Sequence, residues 1–257
     1  MQNRNAFHPI CDDKDVGLEE HDKARWRATF CRRQTFTVSV RTKGIVMRCS
    51  RILRHAIVAL VPLFAGLAHA DDIVASWNSV HLPSPPPLAS VTVDPAHTAL
   101  LVLDFDTGTC TTAQRPTCVA SLPKVAALLE AARQHKMMVA YSTTMTGSIK
   151  SVPPVLAPQG DEPVVSSGVD KFFGTQLEAA LKAKDIHTVI VTGTVAQGAV
   201  LFTASAASLR GFKVVLPIDT LSAPDPFAEL SATWILLNAP AGLSKNISAT
   251  RSDMIQF

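Results

Sequence analysis

Short apolar runs alternate with helical stretches from residue 98 to the end of the chain. Residues 98–104, TALLVLD, predict a fully buried strand, because the interior positions are all apolar and a carboxylate closes the run. Similar apolar runs predict further strands at 137–142, 187–192 and 212–217, and we also expect a short strand at 163–166 and an edge strand at 244–250. Buried strands of this length are typical of a parallel sheet.

The segments between these runs predict helices over 121–133, 175–184, 196–210 and 226–237. Each has a terminal signal: Ser121 as N-cap, a capping box from Thr175 to Glu178, Gly211 after the third helix, and Asp225 before Pro226. Apolar strands separated by helices indicate an α/β fold with three layers, in which helices cover both faces of the sheet. In such sheets ligands bind beyond the carboxyl ends of the strands, where strand order reverses.

The region before residue 71 is typical of a secretory leader. Three arginines, Arg48, Arg51 and Arg54, precede an apolar run at 56–67, and Ala68-His69-Ala70 provides small residues at a cleavage position. A membrane anchor is the alternative, but a spanning helix needs about twenty apolar residues. We therefore predict a signal peptide at 47–70, cleaved between Ala70 and Asp71, and a periplasmic or secreted protein with no membrane association afterwards. Residues 1–46 then read as an over-extended N-terminus without an assigned fold.

The charge distribution supports this division. The whole chain of 257 residues has a net charge of +3, but 12 of its 24 Lys and Arg lie in residues 1–70 with only 6 of its 21 Asp and Glu. The remainder is therefore slightly acidic, which gives no footprint for nucleic acid. A proline-rich stretch at 81–88 predicts an extended arm within 71–95, and the folded domain is expected over 96–257.

Two of the five cysteines, Cys110 and Cys118, follow the predicted cleavage position, with seven residues between them. In an oxidising compartment such a pair favours a disulfide that pins a loop. A free reactive thiol at Cys110 is the alternative, but no nearby histidine or CxxC partner favours it.

Polar groups follow three of the predicted strands. Asp104 and Phe105 follow the first, the bend at 193–199 (GTVAQGA) follows the fourth, and Asp219 follows the fifth. A carboxylate at such a position can act as a general acid or base, and the backbone N–H groups of a bend can bind an anion. Turn or helix capping is the alternative for each.

Four blocks together resemble the isochorismatase-like cysteine hydrolase superfamily: TALLVLD at 98–104, FFGTQLE at 172–178, VIVTGTVAQGAVLFTA at 189–204 and GFKVVLPID at 211–219. The resemblance implies a six-stranded, mostly parallel sheet with the site between the first and fourth strands. It places Asp104 on the family's catalytic aspartate. The bend in this family often contains a cis peptide and helps to form an oxyanion site.

The resemblance also exposes two departures. The family's nucleophilic cysteine falls on Ala199, so covalent thiol catalysis at that position is excluded. The family's lysine falls on Ser166, and Lys171 is the only cation nearby; either it reaches Asp104, or it is a solvated lysine at a helix entrance. The remaining residues of the implied substrate site are Phe105, Thr194, Val195, Gln197 and Gly198. Metal-binding members of the family usually carry histidines in the loop after the second strand, and residues 143–165 contain none, so the resemblance implies no metal. We also predict no cofactor.

These observations leave two functional hypotheses. The first is an exported hydrolase that acts on a small molecule without a cysteine nucleophile, with Asp104 as general acid or base and Lys171 beside it. The second is a catalytically lapsed member that binds a small carboxylate or carboxamide. Because family members often form homo-oligomers, an interface at residues 234–237 is a further alternative.

Overall fold

A computed structural model describes residues 72–257, and the predicted leader lies outside the described residues. The strands of its main sheet are β2 Thr98–Leu103, β3 Met138–Thr143, β4 Val164–Ser166, β5 Thr188–Thr194, β6 Lys213–Pro217, β7 Leu221–Ser222 and β8 Ile247–Thr250. Their order in the sheet is β4-β3-β2-β5-β6-β8, and the short strand β7 pairs with the end of β5. Every pair in this sheet is parallel.

Strand order reverses between β2 and β5, because the chain first builds β3 and β4 on one side of β2 and then adds β5, β6 and β8 on the other. This reversal is the position at which ligand clefts form in doubly wound sheets. The predicted fold class, a three-layer α/β sandwich around a mostly parallel sheet of six principal strands, is confirmed.

Helices cover both faces of the sheet. They are α1 Ile73–Ser76, α2 Pro116–Gln134, α3 Leu177–Ala183, α4 Leu201–Leu209 and α5 Pro226–Asn238. Alternate residues of β2 serve the two layers: Leu100 and Val102 pack with α2, whereas Leu101 and Leu103 pack with the other three long helices. The strand is apolar throughout because both of its faces are buried.

Gly193 allows β5 to approach β2 closely at the reversal. A Cβ atom at this position would lie 2.6 Å from Cβ of Leu103 and 2.8 Å from its carbonyl oxygen. Any side chain there would force the strands apart. The residue that follows Leu103 is Asp104, so this contact lies directly below the carboxyl end of β2.

Two predicted helix starts are wrong. α2 begins at Pro116 rather than at Ser121, whose hydroxyl donates within the helix to the carbonyl of Cys118. Proline is well suited to the first helical position, and it lies here inside the loop that the disulfide closes. α3 begins at Leu177, two residues after the predicted start. The Thr175 hydroxyl accepts a hydrogen bond from the Leu177 N–H, but the reciprocal half of the capping box is absent, because Glu178 pairs with Lys182 and Arg210.

The N-terminal arm joins the domain through a small second sheet. After α1, residues 80–90 contain no helix or strand, and β1 Val91–Thr92 then pairs with β9 Ile255–Gln256. Within residues 72–257, no helix has both the length and the apolar character needed to cross a membrane.

Trp234 on α5 is 49% exposed, whereas Leu236 is buried. The predicted oligomer interface stays a prediction.

Candidate active site

A cleft of about 550 Å³ opens at the carboxyl ends of the four strands around the reversal. Its walls come from the loops that follow β2, β3, β4 and β5, because parallel strands end at the same edge of a sheet. The lining residues are Asp104, Phe105, Asp106, Thr109, Arg115, Thr143, Thr144, Met145, Thr146, Gly147, Ser148, Ser167, Gly168, Val169, Thr194, Val195 and Ala199. Its volume suits a small organic molecule.

A buried ion pair joins Asp104 to Lys171. Nζ of Lys171 lies 2.7 Å from Oδ2 of Asp104, and the lysine side chain has no solvent exposure. Its remaining N–H groups are directed at the carbonyl oxygens of Thr143, at 3.3 Å, and Ser167, at 3.2 Å. Three acceptors therefore match the three N–H groups of an ammonium.

The Asp104 carboxylate is fixed on both of its oxygens. The Ser142 hydroxyl donates to Oδ1 at 2.7 Å, while Lys171 occupies Oδ2. The backbone of Asp104 has φ of 55°, a left-handed conformation that aspartate tolerates better than most residues. Asp104 thus leaves the strand in a sharp turn and enters the cleft with two hydrogen-bonding partners in place.

The bend after β5 forms the facing wall. The peptide bond between Thr194 and Val195 is cis, and a π-helical turn at Ala196–Val200 follows it. The N–H of Gly198 donates to the carbonyl of Val195, so it is not free for an anion as predicted. Ala199 lines the cleft and is buried, so a methyl group occupies the position on which the resemblance places the family's cysteine.

A second cation, Arg115, reaches the cleft from the loop between β2 and α2. This loop is closed by the predicted disulfide, which the structure contains between Cys110 and Cys118. Nη1 of Arg115 donates to the Thr194 hydroxyl at 2.8 Å and approaches that of Thr109 at 3.5 Å. Burial lowers the pKa of Arg115 from its usual value, and the nearby charge of Asp106 partly opposes this effect.

Most of the predicted site residues meet at this cleft. Asp104, Phe105, Thr194, Val195 and Ala199 all line it, and Lys171 lies immediately behind Asp104. The alternative in which Lys171 is a solvated lysine is wrong, since its side chain is fully buried.

Three predicted substrate-binding residues lie outside the lining. Ser166 is exposed and donates its hydroxyl to the carbonyl of Thr144, because it belongs to the edge strand β4. Gln197 is exposed on the outer side of the π-helical turn, and Gly198 packs under Val195 and Val169. Asp219 also lies outside the cleft. It accepts hydrogen bonds from the N–H and hydroxyl groups of Ser252 and lies near Lys124.

Sequence reasoning missed Arg115 and Ser142. Ser142 was assigned only to a buried strand, although its register opposite Leu103 places it beside the residue that follows β2. Arg115 stands between two cysteines, and the disulfide prediction was the available signal that this loop has a fixed position.

In the part of the chain that the structure describes, the cluster of potential metal ligands lies outside the cleft. Within residues 72–257, the one group of three potential ligand side chains is His97, Asp185 and His187, at the amino ends of β2 and β5. Asp104 is already paired with an ammonium group, which disfavours a second cation at the same oxygen.

Comparisons with known proteins agree with this architecture. A cysteine hydrolase from Pseudomonas syringae pv. phaseolicola 1448A is 24% identical, with a TM-score of 0.55 over 65% of this chain and 94% of the other. An isochorismatase family protein from Desulfovibrio vulgaris subsp. vulgaris str. Hildenborough is 20% identical, with a TM-score of 0.54 over 61% and 95%. N-carbamoylsarcosine amidase from Thermoplasma acidophilum is 22% identical, with a TM-score of 0.52 over 61% and 96%.

At these identities the solved structures show a shared fold, and no curated protein matches the sequence. The family model described as isochorismatase domain matches residues 98–239, which is more than half of the chain. The match begins at the first residue of β2 and ends just after α5, so it contains Asp104, Lys171 and the complete bend. The chain therefore belongs to the isochorismatase family of hydrolases.

Proposed function

We propose that the cleft hydrolyses a small molecule without a covalent enzyme intermediate, and that Asp104 is the catalytic acid and base. The observation that carries this proposal is the buried contact of 2.7 Å between Asp104 and Lys171. A buried ion pair is costly to maintain, so it is weak support for stability but is well suited to hold a reactive carboxylate in place. Ala199 provides no nucleophile at the position on which the family's cysteine falls, so we assign the attack to water.

The proposed step uses one proton twice. With an amide, the Asp104 carboxylate takes a proton from water as the water oxygen bonds to the carbonyl carbon, and the resulting carboxylic acid then protonates the departing nitrogen. With a vinyl ether, protonated Asp104 first gives its proton to the terminal alkene carbon, water adds to the oxocarbenium carbon and returns a proton to Asp104, and the hemiketal then breaks into a ketone and an alcohol. In both cases one water is consumed, one substrate bond is cleaved and Asp104 returns to its starting state. Lys171 does not supply this proton, because its three N–H groups are directed at Asp104, Thr143 and Ser167. It acts through Asp104 as a positioning residue.

The test is turnover by the purified protein on isochorismate, other vinyl ethers and a series of amides. We expect hydrolysis by the wild type and a loss of at least about a hundredfold in Asp104→Asn, since general acid-base catalysis contributes about 10²–10⁴ in rate. Asp253→Asn is the matched control, because Asp253 is exposed and lies outside the cleft. Equal activity of the wild type and Asp104→Asn would contradict the proposal.

A second candidate function is ligand binding without turnover, and the methyl group of Ala199 favours it. In that case the wild type is inert on every substrate, while a ligand at a hundred times its dissociation constant raises stability by about 2.7 kcal/mol. Thermal-shift measurements with small carboxylates and carboxamides test this candidate. Hydrolysis that depends on Asp104 would contradict it.

Restoring sulfur separates an intact acid-base apparatus from a lapsed one. In Ala199→Cys, we expect rapid alkylation by iodoacetamide at neutral pH if Asp104 and Lys171 still lie close enough to favour a thiolate. Ala206→Cys is the control, because Ala206 is buried on α4 outside the cleft. Similar slow alkylation of both variants would indicate that the pair no longer activates this position.

We also propose that the protein is exported after cleavage between Ala70 and Asp71. The apolar run at 56–67 and the Cys110–Cys118 disulfide support this, since disulfides persist in oxidising compartments. Mass spectrometry of the exported protein should find Asp71 as its first residue. A protein that stays in the cytoplasm with its leader attached would contradict this proposal.

A further inference from the structure

We propose that Arg115 binds a carboxylate group of the ligand, so that the cleft selects small organic anions. This inference rests on the proposed function in one respect, because it concerns the same cleft. It adds the chemical class of the ligand and a specificity residue, Arg115, that lies outside the four sequence blocks that carry the family resemblance. Four observations support it.

The first observation is the fixed position of Arg115. It precedes α2 directly, and the disulfide between Cys110 and Cys118 closes a short ring around it. The Nη1 hydrogen bond to Thr194, 2.8 Å long, ties the guanidinium to the end of β5. A preorganised side chain loses little conformational freedom on binding, which favours affinity.

The second observation is that Arg115 has no direct ion-pair partner among residues 72–257, unlike Lys171. Asp106 is the acidic group that acts on it electrostatically, but the carboxylate oxygens of Asp106 accept hydrogen bonds from the Gly108 N–H and the Ser151 hydroxyl. Because Lys171 is already paired with Asp104, Arg115 is the cation without an ion-pair partner among the described residues that line the cleft.

The third observation is a buried donor without an acceptor. Nε of Arg115 is shielded from solvent and has no hydrogen-bond partner within the described part of the chain. Leaving such a donor unpaired costs about 1–3 kcal/mol. With one N–H of Nη1 committed to Thr194, Nη2, which is not shielded and donates no hydrogen bond within residues 72–257, is the group that an incoming carboxylate can reach.

The fourth observation is the composition of the remaining walls. Phe105, Met145 and Val169 provide apolar surface, and threonine and serine hydroxyls occupy the loop after β3. Such a lining suits a ligand with one anionic group and a compact organic body. The volume of about 550 Å³ limits that body to the size of a small metabolite.

The experiment compares carboxylates with their amides by isothermal titration of the purified protein. The probes are benzoate with benzamide, and succinate with succinamide, each at millimolar concentrations. We expect the wild type to bind at least one carboxylate about tenfold more tightly than its amide, because hydrogen bonds from a charged donor to a carboxylate exceed those to a neutral group. Arg115→Gln should remove this preference, and Arg115→Lys should retain part of it.

The matched control is Arg251→Gln, because Arg251 also lies near acidic residues but outside the cleft. It should bind all four probes like the wild type. If Arg115→Gln does not fold, the wild-type preference for carboxylate over amide decides alone, together with the shift of the Arg115 Nε–H signal in ¹⁵N NMR spectra during titration. No carboxylate preference, no binding of any probe, or an unchanged preference in Arg115→Gln would overturn the inference.

The double variant Asp104→Asn/Lys171→Met, in which neither charge of the buried pair remains, separates this inference from the proposed hydrolysis. It retains Arg115, so its carboxylate preference should persist while turnover is lost. Loss of turnover without the predicted preference contradicts the inference alone, whereas the preference without turnover contradicts the hydrolytic proposal alone.

Discussion

The two ends of the adjacent strands β2 and β5 both carry clusters of ionisable side chains. At the amino ends, Asp185 lies 3.3 Å from both His97 and His187, with the three side chains 43% to 70% exposed. At the carboxyl ends, Lys171 lies 2.7 Å from Asp104, with side-chain exposures of 0% and 9%. The distances are similar, but the surroundings differ.

That difference decides how strongly each cluster is coupled to the fold. Water screens the exposed cluster and solvates any member whose partner is removed, so such pairs contribute about 0–1 kcal/mol. The buried pair has no water to replace a missing partner. We therefore expect the same kind of substitution to have very different effects at the two ends of the same strands.

The largest effect is expected for Lys171→Met. This substitution leaves the Asp104 carboxylate in a largely buried position without its ammonium partner, and should lower the free energy of unfolding by about 3–5 kcal/mol. Urea denaturation followed by circular dichroism measures it. The double variant Lys171→Met/Asp104→Asn should recover much of the loss, because no unpaired charge remains; failure to recover would show that lost packing dominates.

A smaller effect is expected from opening the loop that carries Arg115. Replacing Cys110 and Cys118 together by serine should lower the free energy of unfolding by about 2–3 kcal/mol, the range for closing a short loop. Urea denaturation of the variant and of the wild type with and without reductant tests this. An unchanged midpoint would show that the ring is held by its packing alone.

Ser142→Ala should have the next largest effect. It removes the hydroxyl that donates to Oδ1 of Asp104 at 2.7 Å, and hydrogen bonds to charged groups contribute about 1.5–3 kcal/mol. Since Lys171 still neutralises the carboxylate, we expect the free energy of unfolding, measured by urea denaturation, to fall by about 1.5 kcal/mol. A loss as large as that of Lys171→Met would mean that the hydroxyl, not the ammonium, is the main support of Asp104.

The smallest effect is expected for Asp185→Asn at the amino ends. Asparagine tolerates the left-handed backbone that Asp185 adopts, with φ of 54°, so the substitution removes charge without strain. The free energy of unfolding should change by less than about 0.5 kcal/mol. A loss comparable to that of Lys171→Met would break the contrast between the two ends.

The sequence was sufficient to predict the fold because the sheet is apolar on both faces. Uninterrupted runs such as 98–104 mark buried strands, and the observed sheet and helices confirm the predicted class. The start of α2 is harder to predict, because Ser121 and Pro116 are both typical of helix starts. The start at Pro116 depends on the loop that the disulfide closes, which local sequence patterns do not reveal.

The site was predictable only where it follows strand ends directly. Asp104 and the bend at 193–199 line the same cleft, as expected. The reason is that β2 and β5 are paired, with Leu103 opposite Gly193, so both strands end at the same level. The contact between Lys171 and Asp104 could not be predicted, because the lysine lies in a loop. Whether its long side chain reaches the carboxylate depends on the backbone conformation of that loop. Arg115 shows the same limit, since its position depends on a covalent ring rather than on a local pattern.

The close approach at Gly193 limits how the protein can acquire a new specificity. Because a single methyl group there would collide with Leu103, mutation has no gradual route to changing the separation of the two central strands. The distance between the cleft wall that carries Asp104 and the wall formed by the bend after β5 is therefore fixed by the sheet. A change in the size of the bound ligand therefore requires substitutions of loop side chains that line the cleft, such as Met145 and Val169.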